Sequence, residues 1–182
     1  MKTRMLILAF ALSFACASEA VAQSGEVGWS EVVGGCTVES GSANHRTSFG
    51  VVSFAPAAYG NIYLDCPVTG ITRVDPSYIN AFGLIFNNDF GHSLPVDYCT
   101  VSADFLDKAN NNAGAVPVSL ANFSTSGNSY SGWTTVPGIA LRAFLNFDTD
   151  TYMVRIHLVR RKTILTSCNP SVWATFAEEV IQ

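Results

Sequence analysis

The sequence is short of charge: Asp, Glu, Lys and Arg make up only 13% of its 182 residues, against 48% apolar. That balance suits a protein with a large core, or one with an apolar contact surface. Basic residues are the scarcer kind, 10 Lys and Arg to 14 Asp and Glu. A net charge of −4 is the wrong sign for phosphate-backbone binding, so no nucleic-acid partner is expected. Beyond the N-terminus no stretch is apolar for 18 residues, which excludes a membrane-spanning helix in the body of the chain. There is no C-x-x-C pair, no H-x-x-x-H and no G-x-S-x-G elbow. No segment of 12 or more residues shows a 3.6-residue apolar period, which disfavours a parallel βαβ sheet.

What is present begins with a three-part leader. Lys2 and Arg4 supply positive charge, Met5 to Ala17 is apolar apart from Ser13, and Ala20-Val21-Ala22 offers small residues for cleavage. This is the layout of a secretory signal peptide of bacterial type, expected to be cut after Ala22. Its apolar core is too short for a retained anchor, and Ser13-Phe14-Ala15 does not suit lipidation at Cys16. The expected location is periplasmic or extracellular. Lys2, Arg4 and Glu19 leave with residues 1–22, taking the basic and acidic counts from 10 and 14 to 8 and 13. Residues 23–35, rich in Gly, Ser and Glu, read as a loose lead-in to a single domain over 36–182.

Cleavage also removes Cys16, leaving Cys36, Cys66, Cys99 and Cys168. An even set in an oxidising compartment implies two disulfides. Four cysteines permit three pairings, and the sequence does not choose among them. The expected one is Cys66–Cys99 with Cys36–Cys168, the latter tying the ends of the domain together.

The mature chain reads as short strands separated by Gly, Pro, Asn and Ser. Thr47–Phe54, Asn61–Cys66, Phe82–Phe86, Val96–Leu106 and Val116–Phe123 are β-prone. In the fourth, Cys99, Val101, Ala103 and Phe105 form the expected buried set. Ile139–Phe147 and Thr151–Arg160 both alternate strictly, with Asp148-Thr149-Asp150 between them, and predict a β-hairpin. Val172–Ile181 fits a strand or a short helix. The expected fold is all-β: an antiparallel β-sandwich of jelly-roll or Greek-key type.

Candidate chemistry is sparse. His45, His92 and His157 have no metal-ligand spacing. The Ser/Gly-rich stretch Gly127–Gly132 has one residue too many for a nucleophile elbow. Asp148 and Asp150 read as turn residues, which leaves no carboxylate pair set for glycoside hydrolysis. No cofactor is expected; calcium has hard oxygen donors in one loop region, Asp104, Asp107 and Asn110–Asn112, but they do not match the EF-hand pattern and support it only weakly. Arg155, Arg160, Arg161 and Lys162 form a local basic cluster suited to an anionic contact, with Arg155 and His157 on one side of their strand. Trp29, Trp133, Trp173, Tyr130 and Tyr59 lie in or beside Gly/Ser-rich segments, and Trp133 with Tyr130 is the expected stacking surface for a sugar. Asn122-Phe123-Ser124 carries no weight as a glycosylation acceptor behind a bacterial signal.

Together these residues favour an exported, non-catalytic module that binds a carbohydrate or a protein surface through Trp133, Tyr130, Arg155 and His157. Two other classes stay open: a secreted hydrolase whose residues gather from distant strands, and a structural or assembly subunit of the cell envelope.

Overall fold

Alternation of apolar and polar side chains carries most of this chain into strands. The computed structural model describes residues 27–69, 78–88, 99–108, 116–128, 130, 132–161 and 168–179. The leader at 1–22 lies outside them. Among the described residues eleven strands follow in order: β1 (Val27–Val32), β2 (Thr37–Val38), β3 (His45–Ser48), β4 (Val51–Phe54), β5 (Gly60–Val68), β6 (Ala81–Asn87), β7 (Cys99–Asp107), β8 (Val118–Ser124), β9 (Trp133–Ala140), β10 (Tyr152–Arg160) and β11 (Ser171–Glu178). One 3-10 turn, Val33–Gly35, joins β1 to β2.

The strands form two antiparallel sheets packed as a sandwich. One has the order β3-β4-β11-β6-β9, with β1 also on β11; the other runs β2-β5-β10-β7-β8. The inner faces are apolar, as half-buried antiparallel strands require. Val52, Phe54, Phe82, Leu84 and Phe86 come from the first sheet, and Ile62, Leu64, Val101, Phe105, Val154, Ile156 and Leu158 from the second. Phe82 and Phe105 meet across the layers with ring centroids 5.8 Å apart. Truncating either to alanine would cost about 3–5 kcal/mol, the usual range for a buried ring. The buried sets foreseen in Asn61–Cys66, in Cys99–Phe105 and in Tyr152–Leu158 all face this core.

Four expectations need correction. The disulfides are Cys36–Cys66 and Cys99–Cys168, rather than Cys66–Cys99 and Cys36–Cys168. Thr37 pairs with Asp65 and Val38 with Leu64, so continuing that register sets Cys36 opposite Cys66, with Cα atoms 4.6 Å apart. Cys99 opens β7 and Cys168 precedes β11, so the second bridge ties one sheet to the other. The ends of the domain are joined by backbone instead: Trp29 in β1 pairs with Ala177 in β11. Residues 27–35 are therefore no loose lead-in, for Trp29 and Val33 are buried.

The hairpin expected across Asp148–Asp150 is absent. β9 stops at Ala140 and pairs with β6 in one sheet, while β10 pairs with β5 and β7 in the other. Residues 141–151 cross between layers. Leu145 is buried and Leu141 and Phe147 pack on the core margin, so their alternation reports burial without a ladder. Thr47–Phe54 is not one strand but the tight hairpin β3–β4, turning at Phe49-Gly50. Ser171–Glu178, left between strand and helix, is a strand.

Candidate functional site

The outward faces of the two sheets differ, and among the described residues a hollow lies on each. On the six-stranded sheet, register places one residue per strand in a row: Arg46 opposite Ser53, Ser53 opposite Ser171, Ser171 opposite Asn87, and Asn87 opposite Trp133. Directly opposed residues share a face, so this polar row runs across five strands and ends at an indole. Arg46 Nε donates to Ser53 Oγ at 3.2 Å within it.

Beside the row lies the hollow, about 470 Å³, lined by Phe49, Val51, Ile85, Trp133, Thr135 and Trp173. Its three aromatic rings are held outward by different local devices. Trp133 opens β9 opposite Asn87, on the face away from Phe86. Trp173 is the extra residue between Val172 and Ala174 in the ladder with β6, and such a bulge re-aims the side chain it carries. Phe49 and Gly50 form the two-residue turn between Ser48 and Val51, with φ of 49° and 79°. Positive φ at both turn positions suits the strand twist but ordinarily selects Asn or Gly. A bulky residue there is strained. Gly50 is also required by space: a Cβ would collide with Val32 Cγ1 and lie 3.7 Å from Cδ1 and Nε1 of Trp173. Phe49 is 98% exposed, Trp133 51% and Trp173 44%.

Tyr130 does not join Trp133. It packs edge-on against Phe86, centroids 5.1 Å apart, at the rim of the core. Trp29 is likewise a packing residue.

On the five-stranded sheet, Arg155 and His157 do share the outward side of β10, between buried Val154, Ile156 and Leu158. Arg155 is neutralised in place by Asp65, through two hydrogen bonds, and by Glu39 at 3.6 Å. His157 stacks flat on Tyr63 (4.3 Å, 11°), and its Nε2–H donates to Asn61 Oδ1 at 2.9 Å. Burial pushes its pKa below the ordinary histidine value, against the charge of Asp104. With Tyr59, Asn61, Arg160 and Arg161 it lines a second hollow of about 460 Å³.

The remaining candidates scatter. His45 is exposed, its ring nitrogen 3.3 Å from Ala43 O. Among the described residues neither His45 nor His157 hydrogen-bonds a serine or a carboxylate; His92, Ser129 and Ser131 lie outside them. Asp148 and Asp150 make local turn bonds, from Asp148 N–H to Asn146 Oδ1 and from Thr149 Oγ1 to Asp150 Oδ2. Among the described residues no three His, Cys, Asp or Glu side chains are placed to hold a metal ion. Asn110–Asn112 and Lys162 lie outside those residues. Phe49 does not stand out in the sequence because Thr47–Phe54 is β-prone throughout; Gly50 is the one local signal of a turn there.

No family model and no curated protein matches the chain. Four solved chains do, among them a family two carbohydrate esterase from Cellvibrio japonicus, at 9% identity and a TM-score of 0.35. That match covers 84% of this chain and 35% of the esterase, so the chain spans about a third of its length. A likeness of this size bears on neither activity nor ligand.

Proposed function

We propose that this protein is an exported, non-catalytic module that binds a glycan on the outer face of its six-stranded sheet. The carrying observation is the convergence of Phe49, Trp133 and Trp173, exposed, around one hollow. A pyranose ring has apolar C–H faces and a rim of hydroxyls. Flat aromatic surfaces match the faces, and polar side chains on an adjacent row match the rim. Arg46 and Asn87 stand in such a row, with Ser53 and Ser171 buried between them. Rings mounted on sheet positions lose little conformational freedom on binding, which favours affinity. Export rests on the leader at residues 1–22, and the two disulfides suit an oxidising compartment.

A glycan array probed with the mature protein, Trp133→Ala and Trp173→Ala tests this reading. Binding by the wild type, weakened about tenfold or more in each variant at unchanged melting temperature, is expected. No glycan bound by the wild type would end it. Exposure of Phe49 and Val32 beside the hollow favours one other reading, a contact with a protein surface. Light scattering across a concentration series distinguishes self-association from a strict monomer.

A further inference from the structure

We infer that the hollow on the five-stranded sheet is a separate binding site for an oxyanion, a carboxylate or phosphate group, held by Arg160, Arg161 and His157. It lies on the opposite layer from the aromatic hollow and does not depend on the glycan reading.

Three observations support it. First, the cations here lack counter-charges. Arg155 is paired with Asp65 and Glu39, but among the described residues no carboxylate pairs with Arg160 or Arg161. Second, Arg160 is positioned before any ligand arrives. It has the inward parity of Leu158 and stands at the strand end opposite Gly60. Its guanidinium lies 5.2 Å over the Tyr59 ring, and one Nη1–H reaches Ala58 O at 3.4 Å. Its Nε–H is buried with no acceptor. A buried donor without an acceptor is costly, and a planar fork already fixed in place suits a carboxylate or phosphate oxygen. Third, the neutral wall of the hollow is ordered. Tyr63 holds the imidazole flat and Asn61 takes the Nε2–H, so the second ring nitrogen is free of that bond.

An anion beside His157 would favour its protonated form. The groups facing that ring are Asn61 and Tyr63 from β5, Ser102 and Asp104 from β7, Arg155 on its own strand, and Arg160 and Arg161 in the same hollow. Asp104 is the acidic one, and Arg155 is already neutralised by Asp65.

The test is calorimetric titration of the mature protein at constant ionic strength, with inorganic phosphate in one arm and free galacturonic acid in the other. Imidazole NMR shifts are followed in parallel. Saturable binding is expected in at least one arm, with the His157 pKa rising as the site fills. Phosphate alone would identify a free-anion site, and galacturonate alone a sugar-borne carboxylate. Arg160→Gln should weaken binding about tenfold. Arg161→Gln, at an exposed position where folding is not at risk, should weaken it in the same direction. Arg142→Gln, an exposed cation elsewhere, should not. The inference falls if neither probe binds saturably, or if Arg142→Gln weakens binding as much as Arg161→Gln. Failure here would leave the glycan array result untouched.

Discussion

Arg155 and Asp65 stand directly opposite each other on β10 and β5, joined by two hydrogen bonds, Nε to Oδ1 at 2.8 Å and Nη2 to Oδ2 at 2.9 Å. The pair is a cross-strand clamp, which sets Arg155 apart from Arg160 and Arg161 in the basic cluster. Both side chains keep contact with water, at 37% and 27% exposure, so the clamp is worth far less than a buried pair. Asp65→Asn should lower stability by about 0.5–1 kcal/mol in denaturant titration, less at high salt. A loss of several kcal/mol would mean that the pair is effectively dry.

Phe49 should trade stability against binding. Asn tolerates the left-handed region that Phe49 occupies, so Phe49→Asn should raise stability by about 1 kcal/mol. The same change removes one ring from the hollow and should weaken glycan binding. Thermal melting and the array together check this; a drop in melting temperature would show the ring to be a packing residue.

The two disulfides should differ in reach and in access. Cys36–Cys66 joins residues 30 apart and Cys99–Cys168 residues 69 apart. In the chain-entropy model those loops contribute about 3.6 and about 4.4 kcal/mol. The double serine variant of the second pair should therefore show the larger fall in denaturant midpoint. Cys99 and Cys168 are both buried whereas Cys36 is half-buried, so mild thiol reductant should open Cys36–Cys66 first. Mass spectrometry of alkylated intermediates gives the order.

Stability should decline on mild acidification, partly through His157. Burial lowers its pKa in the fold below the value of 6.5, so the unfolded chain binds its proton more readily. That contribution is complete above about pH 6.5, is lost as pH falls from there towards the folded-state pKa, and then levels off. His157→Gln should reduce the difference between denaturant midpoints measured on either side of that window. An unchanged difference would assign the acid sensitivity elsewhere.

Much of the layering could be read from the chain before any coordinates. Ile62, Leu64 and Cys66, then Val101, Ala103 and Phe105, then Tyr152 through Leu158, announce their buried faces by period alone. Partners could not be read the same way. Periodicity says which side of a strand is dry but not which strand lies next to it, so two adjacent alternating runs were joined into a hairpin that the fold assigns to different sheets. Pro137 and Gly138 within β9 fit its place at a sheet edge, where a missing donor is tolerated. The disulfides failed for the same reason, because their pairing follows from β2 lying on β5. For the sites, composition singled out Trp133 and His157. Phe49 and Trp173 belong with Trp133 only because a turn and a bulge bring them there, and neither device is written in hydrophobic period.

β11 accepts three neighbours, β1 and β4 along one edge and β6 along the other. All three are synthesised before it. A chain lacking β11 would therefore leave this layer without a centre, and would hold Phe49 and Trp133 without the strand that sets them around Trp173. Long-range pairing of this kind folds slowly. The hollow around these three rings is thus a product of distant pairing and would assemble late in folding.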